Sequence, residues 1–296
     1  MSKGNILVIG SSNTDMTVKS EKMPAPGETV LGGEFIMGPG GKGANQAVAA
    51  RRLGGDVCFI CKVGRDIFGD NAVAGYDREG IDTSHVLRSD KASGVALILV
   101  DKNAENSISV APGANNDLTP EDIDSVADVI KASDYLILQL EIPVESVLRA
   151  AQIAHEAGVY VILNLAPACP LPAELFSYLS LITPNAGEVE LMTGVTGELD
   201  DKVAALRKMG VSDVIITLGS RGSYVAPAGR EAELVPALKV NAVDTTAAGD
   251  TFCGALCVAL SEGKDLAEAA RFATKASSLT VQKMGAQSSI PYRKDL

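Results

Sequence analysis

Apolar segments rich in β-branched residues alternate along the chain with segments of helical periodicity. Six apolar segments predict strands: NILVIG, VCFICKVG, YLILQLE, YVILNLAP, LSLITPN and DVIITLG. The intervening periodicity predicts helices at roughly 44–53, 119–131, 144–157, 199–209 and 247–261. Such alternation is typical of βαβ units, in which parallel strands form a sheet that helices cover on both faces. We therefore predict a three-layer α/β fold with a mostly parallel central sheet.

Two segments interrupt this alternation, at about 16–38 and 94–111. The second has the pattern of a hairpin with a polar turn at 102–106, and the first predicts short strands separated by the Pro-Ala-Pro-Gly sequence at 24–27. A few strands cannot support themselves, so we expect a small antiparallel β lid that covers a site or pairs with another subunit. The whole chain, 1–296, is then a single domain that carries this lid.

The composition narrows the range of partners. The 296 residues are 46% hydrophobic and carry a formal net charge of -11. This charge disfavours nucleic acid and anionic membranes as partners and favours small-molecule chemistry. The apolar run near the start, Ile6–Ile9, is too short for a signal peptide or a membrane span. We therefore expect a cytoplasmic protein.

The cysteines and histidines give little indication of metal or nucleophilic chemistry. Cys58 and Cys61 lie in an apolar strand where alternation places them on opposite faces, and no second cysteine pair follows at zinc-finger spacing. We expect all five cysteines to be reduced, and Cys58 and Cys61 to be buried thiols. His85 and His155 lie in neither a glycine-rich nor an acidic segment, so a histidine-based triad is not expected.

Polar residues repeatedly follow the predicted strands. In an open parallel sheet, ligands bind beyond the carboxyl ends of the strands. The residues that fall there are Asn13, Asp15, Glu141, Asn185, Glu188, Gly219 to Gly222 and Asp244 to Asp250. They are scattered in sequence, but this fold brings them to one edge of the sheet, where we expect a binding site.

Two glycine-rich stretches each open a predicted helix. GPGGKGANQAVAARRLGG occupies 38–55 and DTTAAGDTF occupies 244–252. A helix N-terminus has unpaired backbone N–H groups that attract anions, and glycine lets a ligand approach the backbone closely. The first stretch is not a Walker A loop, because Lys42 precedes Gly43 rather than Ser or Thr. The alternative interpretation is a pair of tight turns, with Asp250 an ordinary acid stabilised by the helix dipole.

These two stretches, with the segments ITPNAGE and ITLGSRG between them, resemble the signature regions of the ribokinase-type (PfkB) family of carbohydrate and nucleoside kinases. The resemblance runs from about residue 5 to residue 291. It implies the three-layer ribokinase-like fold and the transfer of the γ-phosphoryl group of ATP to a primary hydroxyl. The nearest likeness within the family implies phosphorylation of D-ribose at its 5-hydroxyl.

By this resemblance, Asp250 is the base that takes the proton from the sugar hydroxyl. The backbone N–H groups of Ala247, Ala248 and Gly249 are implied to form an anion hole for the phosphoryl group. Both roles suit phosphoryl transfer, which depends mainly on positioning and charge stabilisation. The residues implied to surround the sugar are Asn13, Asp15, Gly41, Lys42, Gly43, Ala44, Asn45, Glu141 and Asp250. Asn13 with Asp15 offers polar contact suited to a sugar 2-hydroxyl, which favours ribose over 2-deoxyribose.

The resemblance also implies a nucleotide site and two cations. The residues implied to contact ATP are Asn185, Thr217, Gly219, Ser220, Arg221, Gly222, Gly249 and Thr274. Asn185 and Glu188 are implied to place Mg²⁺ near the phosphates through water. A monovalent cation, usually K⁺, is implied to bind mainly through backbone oxygens at Asp244, Thr246, Thr280, Lys283, Gly285 and Ser289. The alternative to the Mg²⁺ role is an ordinary helix cap at Asn185. The alternative to the nucleotide-binding role of 219–222 is a plain surface turn.

Two positions depart from the family pattern, and the substrate and assembly stay open. Thr274 stands where Asn or His is common, and Ala247 stands where glycine is common. The substrate alternatives are 2-deoxyribose or another sugar or nucleoside. From a different class, the alternative is a catalytically silent sugar-binding protein on the same fold. The lid suggests a homodimer, although a monomer with the same lid is also compatible with the sequence.

Overall fold

The structure is a computed structural model that describes residues 4–103 and 105–296, so residues 1–3 and 104 of the predicted domain lie outside it. Its strands are β1 (Asn5–Ile9), β2 (Asn13–Lys19), β3 (Glu34–Gly40), β4 (Asp56–Ile60), β5 (Lys62–Gly64), β6 (Leu87–Ser89), β7 (Gly94–Val100), β8 (Asn106–Ala111), β9 (Tyr135–Leu138), β10 (Tyr160–Leu163), β11 (Leu181–Ile182), β12 (Asp213–Thr217), β13 (Ser223–Ala226) and β14 (Glu233–Val235). Its helices are α1 (Lys42–Arg52), α2 (Ile67–Glu79), α3 (Pro120–Ser125), α4 (Ala127–Ala132), α5 (Val144–Glu156), α6 (Ala186–Thr193), α7 (Leu199–Met209), α8 (Ala248–Ser261) and α9 (Leu266–Thr280). Over the described ranges, we find no helix with the length and apolar character needed to cross a membrane.

The central sheet contains eight strands in the order β14-β13-β12-β11-β10-β9-β1-β4. The six strands from β12 to β4 in this order are parallel, and β13 and β14 add an antiparallel edge. Along β1, Ile6 and Val8 pack with α1, α8 and α9, whereas Leu7 and Ile9 pack on the opposite face with α5 and α7. Helices therefore bury both faces of the sheet, and the predicted three-layer, mostly parallel fold is confirmed.

The helices show where hydrophobic periodicity is informative and where it is not. The five predicted helices are present, but the segment 119–131 divides at Val126 into α3 and α4. The pattern does not predict α2, α6 or α9. Helix α2 buries only Gly69 and Tyr76, and the buried face of α9 is mostly alanine, so neither carries a stripe of large apolar side chains. The segment VCFICKVG likewise forms two strands, because β5 leaves the central sheet and pairs with β6.

The five cysteines are all free thiols. Cys61 is buried, as expected, whereas Cys58 is partly exposed; Cys253 and Cys257 are also buried, and Cys169 is partly exposed. Burial raises the pKa of the Cys253 thiol to about 12, so this residue near the sheet edge is a neutral packing group at physiological pH.

The two interrupting segments form a separate four-stranded sheet, the lid, in the order β3-β2-β7-β8. The β2–β3 and β7–β8 pairs are antiparallel, while the central β2–β7 pair is parallel. The β7–β8 hairpin corresponds to the predicted one, although residue 104 of its predicted turn is outside the described residues. Phe35, Met37, Ile108 and Val110 on β3 and β8 are exposed, which leaves the lid with apolar surface in contact with solvent.

The lid and the central sheet share one edge. Strand β2 begins at Asn13, shortly after β1 ends at Ile9, and β3 ends at Gly40, directly before α1. The chain therefore leaves the carboxyl edge of the central sheet, forms two lid strands and returns to the same edge. This path places the lid residues Asn13 and Asp15 next to the first turn of α1.

Candidate active site

Asp250 lies in the first turn of α8 and is 6% exposed. One carboxylate oxygen, Oδ2, accepts a hydrogen bond of 2.9 Å from Asn45 Nδ2, and the other, Oδ1, accepts one of 2.9 Å from Gln46 Nε2. Burial raises the pKa of Asp250, while Lys42 and the two amides act in the opposite direction. A buried carboxylate with a raised pKa at the edge of a cleft is typical of a general base.

A chain of buried amides holds Gln46 in place. Gln139 Nε2 donates to Gln46 Oε1 at 2.7 Å, and Gln46 Nε2 donates to Asn164 Oδ1 at 3.1 Å as well as to Asp250. Asn164 Nδ2 in turn donates to the Thr183 carbonyl at 3.0 Å. Because Gln46 Oε1 is occupied by a donor, its NH₂ group is the end that faces Asp250.

Sequence reasoning misses Gln139 and Asn164 as site residues. Both directly follow apolar strands, in YLILQL after β9 and YVILNL after β10. Gln139 is fully buried and Asn164 is 8% exposed. A buried amide just beyond a strand of the central sheet is the signal that identifies them, because such a group needs hydrogen-bond partners at that edge.

The residues predicted to surround the sugar come together beside Asp250. Glu141 Oε2 accepts hydrogen bonds from Ser11 Oγ at 2.5 Å and from the Lys42 backbone N–H at 2.9 Å, which fixes the start of α1. Asn45 Oδ1 is buried and has no hydrogen-bond partner within the described residues. The Asn45 amide therefore presents a free acceptor at the position where a sugar hydroxyl is expected. Gly41, Gly43 and Ala44 are buried at the same helix start.

Four carboxylates and one lysine set the electrostatics of this part of the site. Burial would lower the pKa of Lys42, but Asp250, Glu141 and Glu188 together raise it above its ordinary value, so the ammonium stays charged. Burial, with contributions from Glu141 and Asp250, raises the pKa of Asp15 from 3.8 to about 6. The folded protein thus bears the free-energy cost of crowding these carboxylates before any substrate binds, which is common in binding sites.

We expect Asp15→Asn to stabilise the fold while weakening sugar binding. The pKa of folded Asp15 lies above its unfolded value, so its contribution to stability is complete below pH 3.8 and is lost as the pH rises through about 6. The variant should therefore gain on the order of 2 kcal/mol of unfolding free energy at pH 8. At pH 3.5 the two proteins should differ by only about a few tenths of a kcal/mol, because Asp15 is then neutral in the folded state and mostly neutral in the unfolded state.

Chemical denaturation at the two pH values, with sugar-binding calorimetry, measures both effects. Asp90→Asn is the matched control, because the Asp90 side chain is 99% exposed and the same change there should alter neither quantity. If Asp15→Asn were less stable than the unaltered protein at pH 8, burial of the ionised Asp15 carboxylate would not be unfavourable.

The predicted anion hole begins at a strained residue. Ala247 has a left-handed backbone, with φ 59° and ψ 9°, and it is the non-glycine residue with positive φ in the described chain. The N–H groups of Ala247 and Gly249 have no acceptor within the described residues, whereas the Ala248 N–H donates to the Thr245 carbonyl at 3.2 Å. Two of the three predicted donors are thus available to an anion, and the third is engaged in the turn.

Ala247→Gly should stabilise the protein with little change in turnover. The left-handed conformation costs a non-glycine residue about 1 kcal/mol, and glycine removes most of that cost while keeping the backbone N–H. Thermal unfolding should show a Tm about 2 °C higher. Ala259→Gly is the matched control, because Ala259 is buried inside the same helix and the same change there should lower Tm. Equal losses in the two variants would contradict the assigned strain.

A cavity of about 470 Å³ lies against the start of α8. It brings together the predicted nucleotide residues Thr217, Gly219, Ser220, Gly222, Gly249 and Thr274, whereas Asn185 and Arg221 do not line it. Leu238, Val240 and Phe252 give it an apolar side suited to a nucleobase. Thr274 Oγ1 is buried without a hydrogen-bond partner within the described residues, which leaves a polar group free for a ligand.

Asn185 and Glu188 form a helix cap. Asn185 Oδ1 accepts from the Glu188 N–H at 2.9 Å, and Glu188 Oε2 accepts from the Asn185 N–H at 2.7 Å. Asn185 also pairs with Thr217, which lines the cavity. Among the described residues, no group of three His, Cys, Asp or Glu is placed to hold a metal directly. The cap is the alternative expected at Asn185. A single carboxylate close to Thr217 is also compatible with Mg²⁺ bound through water, which is the predicted role.

The predicted monovalent site joins two loops. Asp244 Oδ1 accepts from the backbone N–H and hydroxyl of Thr246, at 2.9 and 2.6 Å, and Asp244 Oδ2 accepts from the Gly285 N–H at 2.8 Å. Thr280 and Ser289 are fully buried beside these loops, and Lys283 donates its backbone N–H to the Thr280 carbonyl. Asp244 thus links the 244–246 loop to the 280–289 segment, which brings the residues predicted for the monovalent cation into one region.

Asp250, the two glycine-rich helix starts and the cavity together form the candidate active site on a three-layer α/β fold. Residues 3–293 match the model of the pfkB family of carbohydrate kinases. The chain belongs to this family, and it is an enzyme of the carbohydrate kinase class.

Ribokinases are among its similar relatives. The chain is 43% identical to ribokinase from Haemophilus influenzae over 98% of its own length and 96% of that protein. It is 39% identical to deoxyribokinase from Salmonella typhi, over 97% and 95% of the two chains. The solved structure of Arabidopsis thaliana ribokinase complexed with ribose and ATP matches with a TM-score of 0.92 and 34% identity, over 99% of this chain and 97% of the other.

Proposed function

We propose that this chain is an ATP-dependent ribokinase that transfers the γ-phosphoryl group of ATP to the 5-hydroxyl of D-ribose, giving D-ribose 5-phosphate. The observation that carries the proposal is the buried Asp250 carboxylate, which lies between the sugar-side amide of Asn45 and the helix start that borders the cavity. The similarity to ribokinases over nearly the full chain supports ribose as the acceptor. We place the enzyme in the cytoplasm, where free thiols such as its five cysteines persist.

In the proposed reaction, Asp250 accepts the proton of the sugar hydroxyl. The hydroxyl oxygen forms a bond to the γ-phosphorus, and the bond from that phosphorus to the bridging oxygen of ADP breaks. The Ala247 and Gly249 N–H groups stabilise the charge on the transferring phosphoryl group at the helix start. Asn45 and Gln46 hold the Asp250 carboxylate in one orientation, so the base needs no reorganisation before the proton moves.

The proposed enzyme also binds two cations, Mg²⁺ and K⁺. Asn185 and Glu188 would hold Mg²⁺ through water beside the phosphates, and bound Mg²⁺ neutralises phosphate charge. The loops at 244–246 and 280–289 would hold K⁺. Because Asp244 already joins these loops, an ion there would order the segment that leads into Ala247.

The lid supports a homodimer as the proposed assembly. Its exposed apolar residues include Phe35, which is 61% exposed, and Ile108, which is 55% exposed. Strands with such a surface are normally covered by a partner. We expect a dimer in light scattering and a shift to monomer in Ile108→Asp. Leu191→Asp on α6 is the control, since Leu191 is 79% exposed outside the lid. A monomeric unaltered protein would contradict this assembly.

A coupled ADP-release assay with ATP and Mg²⁺ tests the substrate. The panel is D-ribose, 2-deoxyribose, fructose and adenosine, each with K⁺ and with Na⁺. We expect the highest kcat/KM with ribose and stimulation by K⁺ over Na⁺. A preference for 2-deoxyribose is the specific competing result, because one similar relative is a deoxyribokinase. Ribose binding without turnover of any sugar would favour the silent sugar-binding protein.

A further inference from the structure

Asn115 connects a turn after the lid to the sugar side of the cleft. It lies in the short 3-10 helix Gly113–Asp117 that follows β8, and it is 1% exposed. Its Oδ1 accepts from the Ser12 backbone N–H at 2.8 Å. Its Nδ2 donates to the Ser12 carbonyl at 3.2 Å and to Asn13 Oδ1 at 2.7 Å. Every polar atom of the Asn115 side chain is thus directed at Ser12 or Asn13.

The backbone of Ser12 fixes which way the Asn115 amide points. A backbone N–H can only donate and a carbonyl can only accept, so Oδ1 must face the Ser12 N–H and Nδ2 must face the Ser12 carbonyl. Nδ2 is then the group that meets Asn13. Asn13 must present its oxygen to that donor, which turns its own NH₂ group the other way.

The outward NH₂ group of Asn13 is free for a ligand. Asn13 is 6% exposed, and its Nδ2 donates no hydrogen bond within the described residues. Asn13 and Asp15 are two positions apart on β2, so their side chains share one face of the lid. The site therefore presents a donor at Asn13 beside an acceptor at Asp15.

Gly94 shows how closely this arrangement is packed. A Cβ atom at residue 94 would lie 2.2 Å from both Asn115 Nδ2 and Asn13 Oδ1. Gly94 pairs with Asn13 across the β2–β7 strands. The backbone of β7 thus closes one side of the amide pair, and this close contact requires glycine there.

We propose that Asn115 is a specificity-determining positioning residue, which makes Asn13 a hydrogen-bond donor toward the sugar 2-hydroxyl. This inference rests on the proposed sugar kinase function. A hydroxyl that accepts from Asn13 pairs with this NH₂ group, whereas a bound sugar that lacks the hydroxyl leaves it unpaired. Asn115 therefore contributes to the preference for ribose over 2-deoxyribose without touching either sugar.

Asn115→Asp tests the proposal with an isosteric change. The carboxylate still accepts from the Ser12 N–H but cannot donate to Asn13, so Asn13 rotates and turns its oxygen toward the sugar, beside the Asp15 carboxylate. A hydroxyl has one proton and can donate to only one of these two acceptors. We expect the KM for ribose to rise about tenfold or more and the KM for 2-deoxyribose to rise less than about threefold. We expect kcat for both sugars to stay within about twofold, because Asp250 is unaffected. Asn116→Asp is the matched control, since Asn116 is the exposed neighbour in the same turn.

The outcomes separate this inference from the proposed function. If the unaltered protein phosphorylates ribose and Asn115→Asp raises both KM values equally, Asn115 is only structural and the inference is wrong. If the unaltered protein phosphorylates no sugar, the proposed function fails first. If Asn115→Asp does not fold, Asn13→Asp replaces it, because it also directs an acceptor at the sugar. An unchanged preference for ribose over 2-deoxyribose in Asn13→Asp would then overturn the inference.

Discussion

Asp250→Asn should lower kcat for sugar phosphorylation by about 10³-fold, because an amide cannot take the proton of the attacking hydroxyl. Sugar affinity should change little, since Asn is nearly isosteric and the sugar-side groups remain. The variant should also be no less stable than the unaltered protein. Burial raises the pKa of Asp250, so loss of its charge removes a desolvation cost. Single-turnover kinetics, sugar-binding calorimetry and thermal unfolding measure the three quantities.

Asp265→Asn is the matched control for this experiment. Asp265 is also an acid at a helix start, where it caps α9, but it lies outside the cleft. Its replacement should leave kcat unchanged and affect only stability, by a few tenths of a kcal/mol to about 1 kcal/mol. Unchanged turnover in Asp250→Asn would exclude this carboxylate as the base.

Gly43→Ala should cause the largest loss of stability, about 3 kcal/mol or more. An added Cβ would lie 2.5 Å from the Ser11 nitrogen and 2.6 Å from the Gly10 carbonyl carbon. Both contacts are with backbone, so they cannot be relieved by a side-chain rotation. Helix α1 would have to move away from the end of β1, and Asn45 and Gln46 would move with it. We therefore expect sugar binding and turnover to be lost together.

Gly75→Ala provides the control for this prediction. Gly75 lies inside α2, and a Cβ there would meet only the end of Arg78, at 3.7 Å. This variant should be as stable as the unaltered protein or slightly more stable, because alanine favours the helix. Chemical denaturation distinguishes the two variants. If Gly43→Ala were as stable as Gly75→Ala, the close contact of α1 with β1 would not be essential.

The sequence predicts the layers of the fold and the edge at which the site lies. Both follow from local patterns: buried strands alternate with helices, and polar residues come directly after the strands. The pattern does not predict α9, because its buried positions are largely alanine, and it does not predict that β7 pairs parallel to β2 in the lid. Such pairing depends on residues far apart in the chain, which local periodicity does not report.

Candidate site residues that lie in a sequence motif can be predicted from the sequence. The side chains that orient them by hydrogen bonds cannot. Asp250 belongs to a recognisable segment. Gln139 and Asn164 act through hydrogen bonds to Gln46 across separations of 93 and 118 residues, and Asn115 reaches Asn13 across 102. The direction of each amide is set by its partners and not by its neighbours in the chain. The roles proposed for Asp250 and Asn115 are predictions that the variants at these two positions test.

The cluster of acidic residues around Asp250 lowers the stability of the folded protein. Burial, together with the nearby Glu141 and Asp250 carboxylates, raises the pKa of Asp15 to about 6, and Lys42 partly offsets the negative charge. Such a cluster is less stable than neutral residues of the same size would be. Its benefit is a set of acceptors and a base already held in place for a polyhydroxylated substrate.

The most direct test of ribose 5-phosphorylation is ³¹P NMR of the product after incubation with D-ribose, ATP and Mg²⁺. The expected result is a new phosphomonoester signal, formed in step with ADP, that proton coupling splits into a triplet because C5 of ribose is a methylene group. A doublet would place the phosphate on a ring carbon that carries one proton. That doublet, or ADP with inorganic phosphate alone, would contradict the proposed reaction.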